Sequence, residues 1–497
     1  MNIAIVGAGP VGIYFAKLCI DKGYKVTLIE SGNLNEESSH LSRKKYVFLS
    51  PSAIPEGVHK IGGGSTQWQG RISEFLPEDF YKIYSKQEFN WPFDKTELDR
   101  HYKKLYKFLN VGELSDSEML DKYFNNESRK IPSDFVLRIF RFCKADSFIS
   151  LYNSIKNHPN LEILDNHFCN KINTSAMDNI LSLELTPEGS KSILRSFDKI
   201  AIACGTLQST ALLERSKEVF KKSENLVLGK YLAEHLEGYI GTVKVKNANE
   251  KSLFKKLSLN ENNIAINDYD GIGVAISLRN VSFIDQLNVQ YEFRKIMPRP
   301  YFIWQSKNIS IYSKVPVLIP TSLIVERVLK FIFRKCKRIF DSLFRVDRYS
   351  IYIKSEEVPF VNSTLHLDID SCNELVYSHK VSNETFELLQ KNINSFQKSF
   401  NNVFDADLKL YSEIQDLNSL QNFFGPNWHP MGTARMGLES SSSVCNSNLQ
   451  VHGIDNLYLL SGAVFPTGSN TNPTFTVLAL ANRLIESTSF QNSVVQD

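Results

Sequence analysis

Gly7, Gly9 and Gly12 stand in G-x-G-x-x-G order within "GAGPVG". That spacing lets a tight turn bring backbone N–H groups and a helix N-terminus onto a pyrophosphate. Glu30 closes the next apolar run, "YKVTLIE", where a carboxylate can accept hydrogen bonds from an adenosine ribose. In "HKIGGGSTQWQGR", Gly63 and Gly64 follow Gly62 and precede Ser65. Such a run allows backbone to approach a flat or anionic ligand that side chains would block, although a bare flexible loop reads the same way. Far along the chain, "FFGPNWHPMGTARMG" places His429 between a tryptophan and a proline, in a stretch that suits neither helix nor regular strand. Taken alone it reads as a histidine packed for structure. Imidazole titrates near neutrality, however, so a neutral ring there is also fitted to accept a proton.

The elements that must position these residues are visible around them. "NIAIV" reads as a buried strand and "IYFAKLCIDKG" as a helix, so strand, glycine turn and helix arrive in the order a dinucleotide site requires. FAD and NAD are not separated by this. "FDKIAIACGTLQSTALLERS" repeats the sequence of strand, glycine (Gly205) and helix more than a hundred residues later. "NLYLLSGAVFPTGSNTNPTFTVLALANRLIE" runs strand, polar loop and an Ala/Leu-rich helix beginning around Thr474, whose N-terminus can face a ligand. The cofactor domain is therefore expected to be discontinuous.

A chain of 497 residues exceeds one ordinary domain. The formal net charge of +3 gives no global basic field, so nucleic acid is not expected as a partner. Cysteines at 19, 143, 169, 204, 336, 372 and 445 show no metal-binding spacing, and their odd number argues against a disulfide framework. They read as reduced thiols in a cytoplasmic protein with no metal centre. The apolar start lacks a basic n-region and a cleavage site, and no uncharged run reaches transmembrane length.

Taken together, the segments resemble the glucose-methanol-choline (GMC) family of FAD-dependent oxidoreductases, in order and over nearly the whole chain. "IVGAGPVG" with "LIESG" resembles that family's FAD opening, and "GTLQSTALLERS" is similar to its second signature. "LGKYLAEHLEG", around His235, resembles the segment that usually follows. "HPMGTARMG" and the block from Asn456 to Arg483 resemble its C-terminal part, which is the most specific portion. "GGGSTQWQGR" and "NWPFDKTELDRHYKKLYKFL" are closest to the branch of pyranose oxidases and other sugar oxidoreductases.

The resemblance implies that His429 is the active-site base and Asn472 its usual partner, with hydride from an alcohol or sugar passing to FAD. It also implies flavin contacts from Ser461, Gly462, Pro473 and Thr474. Two positions depart from the family. Gln67 stands where some pyranose oxidases carry a histidine bonded to the flavin, so FAD is expected to be held non-covalently. Ser461 stands where the family often has an aspartate. The electron acceptor is not specified. A flavin-containing lyase without net redox, and a non-catalytic flavin protein, are the alternatives.

The expected fold is α/β: a Rossmann-like FAD-binding domain from 1–80, 155–240 and 425–497, interleaved with an α+β substrate domain from 81–154 and 241–424 on a mainly antiparallel sheet. In the latter, "YIGTVKVKN", "YSIYIKS" and "STLHLDID" suggest strands, and "NETFELLQKNINSFQKSF" a helix capped by Asn383. One feature lies outside this scheme. Over 321–345 an apolar stripe (Val325, Val328, Ile332, Cys336, Ile339, Leu343) is flanked by Arg334, Lys335, Lys337 and Arg338, with Phe331, Phe333, Phe340 and Phe344 beside it. A surface helix burying its stripe is the plainer expectation, and peripheral contact with an anionic membrane the other.

Overall fold

The structure is a computed structural model that describes residues 1–38, 47–48, 58–84, 87–124, 133–174, 181–220, 227–245, 247–259, 267–269, 272–281, 287–294, 347–368, 374–421, 423–426 and 428–491. The basic segment 321–345, with Cys336 and also Cys372, lies outside the described residues.

A five-stranded sheet runs in the order Leu457–Leu459, Lys199–Ile202, Asn2–Val6, Lys25–Ile29, Leu161–Leu164, every neighbouring pair parallel. These strands are near-continuous apolar runs because both faces are covered, which is the usual condition of a parallel sheet. Helix Pro10–Asp21 packs on one side together with helix Thr474–Glu486, and Tyr14 Oη donates to Asn482 Oδ1 between them at 3.1 Å. Strands from the beginning, middle and end of the chain thus meet in one sheet.

The second sheet has ten strands. Its main path runs Ala406–Leu410, Leu236–Val245, Asp347–Ser355, Val289–Arg294, Ile272–Asn280, Phe135–Phe142, Arg71–Ile72, with antiparallel neighbours throughout. Helix Asn383–Val403 lays Phe386, Leu389, Ile393, Phe396 and Phe400 onto one face, and the Phe396 ring stacks on Tyr291 at 3.7 Å between centroids. The other face of the central strands turns toward the parallel sheet.

Three local expectations change. The cap of the long helix is Ser382 rather than Asn383: Ser382 has extended backbone and its Oγ accepts from the Thr385 N–H at 3.2 Å, whereas Asn383 is already helical and accepts from Gln421. The strand within "STLHLDID", Thr364–Asp368, pairs with Glu374–Ser378 in a separate three-stranded sheet, because Leu365 and Tyr377 bury against Ala211 of helix Gly205–Arg215. Helices Thr96–Phe108 and Ser147–Ile155, expected on the substrate side, bury Leu98, Tyr102, Phe148 and Leu151 in the core of the parallel sheet. Among the described residues no helix is long and apolar enough to cross a membrane.

Candidate active site

The loops that leave the carboxyl ends of the parallel strands open into one cavity of about 760 Å³, roofed by the polar face of the antiparallel sheet. Three helices begin on it, at Pro10, Gly205 and Thr474. Their free N–H groups and positive dipole ends suit an anion. Gly7 holds φ at 103° and its N–H donates to the Ile29 carbonyl at 2.8 Å, so the turn is anchored to the sheet. A Cβ on Gly12 would stand 1.9 Å from the Gly7 carbonyl oxygen, while one on Gly9 or Gly64 would meet nothing within 4 Å. Gly12 serves close helix-to-turn packing, and Gly9 and Gly64 leave the backbone bare.

Glu30 is buried at the end of strand Lys25–Ile29 and accepts from the Ala8 N–H at 2.8 Å and the Ser31 N–H at 2.9 Å. Burial pushes its carboxyl up, opposed by these N–H groups. Ser461 caps the short helix Gly462–Val464, with its Oγ accepting from the Ala463 N–H at 3.4 Å. The hydroxyl that replaces a carboxylate thus has a structural use of its own.

The segment around His429 is threaded between two others. Met431 exchanges backbone hydrogen bonds with Ala233, and Gly432 and Ala434 donate to the carbonyls of Gly462 and Ala463. Thr206 Oγ1 donates to the Pro430 carbonyl at 2.6 Å. The His429 N–H itself donates to Glu234 Oε2 at 2.6 Å. These contacts fix an irregular stretch that has no helix or strand of its own.

The ring contacts assign a tautomer. His235 Nε2 lies 3.4 Å from the Gly468 carbonyl, which can only accept, so His235 carries its proton on Nε2. Burial and the Lys354 charge hold His235 neutral, its pKa well below the ordinary value. Its Nδ1 is therefore an acceptor, and it lies 3.2 Å from His429 Nδ1, which must be the donor. His429 Nε2 is left with a lone pair and no hydrogen-bond partner among the described residues. Burial first, then Lys354 and Arg71, push the His429 pKa well down, so the ring is neutral at ordinary pH.

Neighbouring strands supply a charged wall. Lys354 Nζ donates to Asn472 Oδ1 at 2.5 Å and stands 3.2 Å from Glu237 Oε1. Glu237 also accepts from Tyr352 Oη, and Glu292 is bridged by Arg71 at 2.5 Å and Arg294 at 2.9 Å. The register explains the grouping: Lys354 lies opposite both Glu237 and Gln290, and Tyr352 opposite Glu292. His235, Glu237 and His429 bring donor atoms within 4.8 Å of one another. The ammonium already beside Glu237 supplies the cation there, so we read no metal centre in this trio.

Of the residues singled out from sequence, Gly7, Gly9, Glu30, Gly63, Gly64, Gly205, His429, Ser461, Gly462, Asn472, Pro473 and Thr474 line the cavity. Gly12 does not, and Ser65 turns its Oγ to the Gly62 carbonyl at 2.6 Å. Arg71, Glu237, Glu292, Arg294 and Lys354 were missed. For Glu292, Arg294 and Lys354 the only sequence signal is a polar residue at alternate positions of "VQYEFR" and "YSIYIKS", a pattern that equally describes a strand with one face in water.

Glu234 makes the site sensitive to pH. It is fully buried, accepts from the His429 N–H and from Tyr377 Oη, and burial pushes its carboxyl up to about 8, with the nearby His379 opposing. The native state therefore keeps a proton that the unfolded chain releases near pH ~4.3. The corresponding stability is full below that pH and is lost as pH rises toward about 8. Glu234→Gln retains an acceptor for the His429 N–H but does not titrate. Between pH ~5 and ~8 the melting temperature of the wild type is expected to fall relative to that of Glu234→Gln; parallel curves would show that Glu234 does not hold its proton.

FAD fits these residues. Open glycines and helix N-termini suit a pyrophosphate, Glu30 a ribose, and the wall that carries His429 and Asn472 the reacting end of a flavin. Comparison with known proteins agrees. Residues 351–481 match the family of the GMC oxidoreductase C-terminal domain. A 2-methyl-1,2-propanediol dehydrogenase of Mycolicibacterium austroafricanum is 45% identical over 58 residues, 12% of this chain and 10% of that protein. A C-glycoside 3-oxidase of Microbacterium trichothecenolyticum is 42% identical over 60 residues, 12% of each chain. The matched stretches thus span about a tenth of these relatives. Two solved structures share the fold over 97% of this chain and 98% of their own: pyridoxine 4-oxidase from Mesorbium loti (TM-score 0.59, 15% identity) and an FAD-dependent oxidoreductase from Chaetomium thermophilum (0.55, 14%). Residues 351–481 thus match the GMC oxidoreductase C-terminal domain, and the chain as a whole shares the fold of these two flavoprotein structures.

Proposed function

We propose that this protein is an FAD-dependent oxidoreductase that oxidises the CH–OH group of an alcohol, and that its natural substrate is a sugar or sugar-derived hydroxyl. The observation that carries the reading is the His429 lone pair, set by the His235 hydrogen bond, in a cavity that Asn472 also lines and that is fitted to FAD. FAD, when bound, supplies the hydride acceptor. His429 Nε2 takes the hydroxyl proton, and its Nδ1–H stays bonded to His235, so the imidazolium formed remains oriented. Asn472 contacts the same substrate oxygen. The sugar class is supported by the resemblance of "GGGSTQWQGR" to sugar oxidoreductases and by the C-glycoside 3-oxidase match.

Anaerobic mixing of holoenzyme with a panel of sugars and simple alcohols tests this. The oxidised flavin spectrum is expected to bleach at a catalytic rate with at least one sugar. Carbonyl release without bleaching would instead identify a lyase, and no change with any alcohol would leave a binding protein. Gln67 lines the cavity and has no nucleophilic ring nitrogen, so acid precipitation is expected to leave yellow FAD in the supernatant. A yellow pellet would mark attachment through another lining residue such as His59.

A further inference from the structure

Lys354 lies on strand Asp347–Ser355, across the cavity wall from the loop that carries Asn472. It is only 6% exposed. An ammonium has three donors and no acceptor, so the Asn472 atom 2.5 Å from Nζ is the carbonyl oxygen. The Asn472 amide nitrogen is thereby turned away from Lys354, and it has no hydrogen-bond partner among the described residues although the residue lines the cavity. A donor is left free for a ligand.

The charges around it do not cancel. Facing the site are the cations Arg71, Arg294 and Lys354 and the carboxylates Glu237 and Glu292, with Tyr352 donating to Glu237, both histidines neutral, and Glu234, at the His429 N–H, holding its proton below pH about 8. Glu292 lies between the two guanidiniums, which leaves Glu237 to Lys354. One positive charge is in excess in a place poorly reached by water. Such a site favours a ligand that becomes negative as it reacts.

We propose that Lys354 is a positioning residue for the oxidation: it locks the Asn472 amide so that its NH₂ donates to the substrate oxygen, and it sets a positive charge beside the alkoxide that forms. The inference rests on the alcohol oxidation proposed above. As the substrate O–H breaks, its proton goes to His429 Nε2. FAD, held by the glycine turns and helix starts that line the cavity, would supply the oxidant that accepts the C–H hydrogen with its electron pair as C=O forms. The same cation opposes a second proton on His429 and keeps the base ready.

The test uses FAD-loaded Lys354→Met. Its rate constant for anaerobic flavin reduction is expected to fall roughly a hundredfold, the scale of one lost oxyanion donor, with FAD content unchanged. In ¹⁵N-histidine NMR of the resting enzyme the His429 titration, and with it the acid limb of the reduction profile, should move up by about one pH unit. In an Asn472→Ala background the same substitution should cost less than about tenfold, because the two residues act together. Glu237→Gln with Lys354→Met removes the stranded carboxylate and must reproduce these effects, which covers a single variant that fails to fold. Wild-type reduction rates, an unmoved His429 titration or fully additive losses in either form would overturn the role of Lys354 while leaving the oxidation standing. If no alcohol reduces the wild-type flavin, the oxidation itself falls and the role of Lys354 falls with it.

Discussion

His429→Ala is expected to slow anaerobic flavin reduction by roughly a hundredfold or more while FAD stays bound. The size follows from removing the proposed general base from a wall whose neighbouring groups are otherwise engaged. His235 already gives its Nε2 proton to the Gly468 carbonyl, and Glu237 and Glu292 are committed to cations. Binding should survive because the residues that suit the pyrophosphate and ribose, at Gly9, Glu30 and the helix starts, do not depend on the imidazole. The backbone of residue 429 should also stay in place, since its N–H to Glu234 and the neighbouring Met431–Ala233 pairing do not involve the ring. Stopped-flow reduction and the flavin-to-protein absorbance ratio check the two halves separately. Near-normal reduction with full flavin content would remove His429 from the chemistry.

Gly12→Ala should instead strike the cofactor. The added methyl would sit 1.9 Å from the Gly7 carbonyl oxygen and 3.0 Å from its carbon, both backbone atoms. The turn cannot yield easily, because Gly7 is tied to Ile29 and its own added Cβ would stand 2.7 Å from Cys204 Cα. Overpacking of this kind costs about 1–3 kcal/mol, and here relief requires helix Pro10–Asp21 to draw back from the cavity where its N-terminus would hold the pyrophosphate. FAD affinity is expected to weaken at least roughly tenfold, as each 1.4 kcal/mol corresponds to a factor of ten. Gly23→Ala is the control: its φ of 79° makes alanine strained, but a Cβ there meets nothing within 4 Å. It should lower stability by about 1–2 kcal/mol and spare flavin binding. Ultrafiltration of each variant against free FAD decides it; equal affinities for Gly12→Ala and wild type would contradict the close turn.

Local chemistry is legible in the sequence alone. A glycine turn between an apolar strand and a helix, with an acid at the end of the next strand, has few structural solutions, and Gly7, Gly9 and Glu30 do line the cavity. The start of the last helix at Thr474 was legible for the same reason, and the strand in "YSIYIKS" was legible from its alternation. Which face of an element is covered depends on long-range packing. Alternation in a strand shows that two faces differ, but does not show whether the polar one meets water or a second domain. Thus the sequence does not set Glu292, Arg294, Tyr352 and Lys354 apart, although they line the site once Ile351, Ile353 and Phe293 have turned the other way onto helix Asn383–Val403. The tautomer of His429 was equally out of reach, since it is set by His235 and Gly468, groups that only long-range folding brings to the same ring. Helices Thr96–Phe108 and Ser147–Ile155 joined the parallel-sheet core for a related reason: an amphipathic pattern states that a stripe must be buried, and only the packed neighbours state against what.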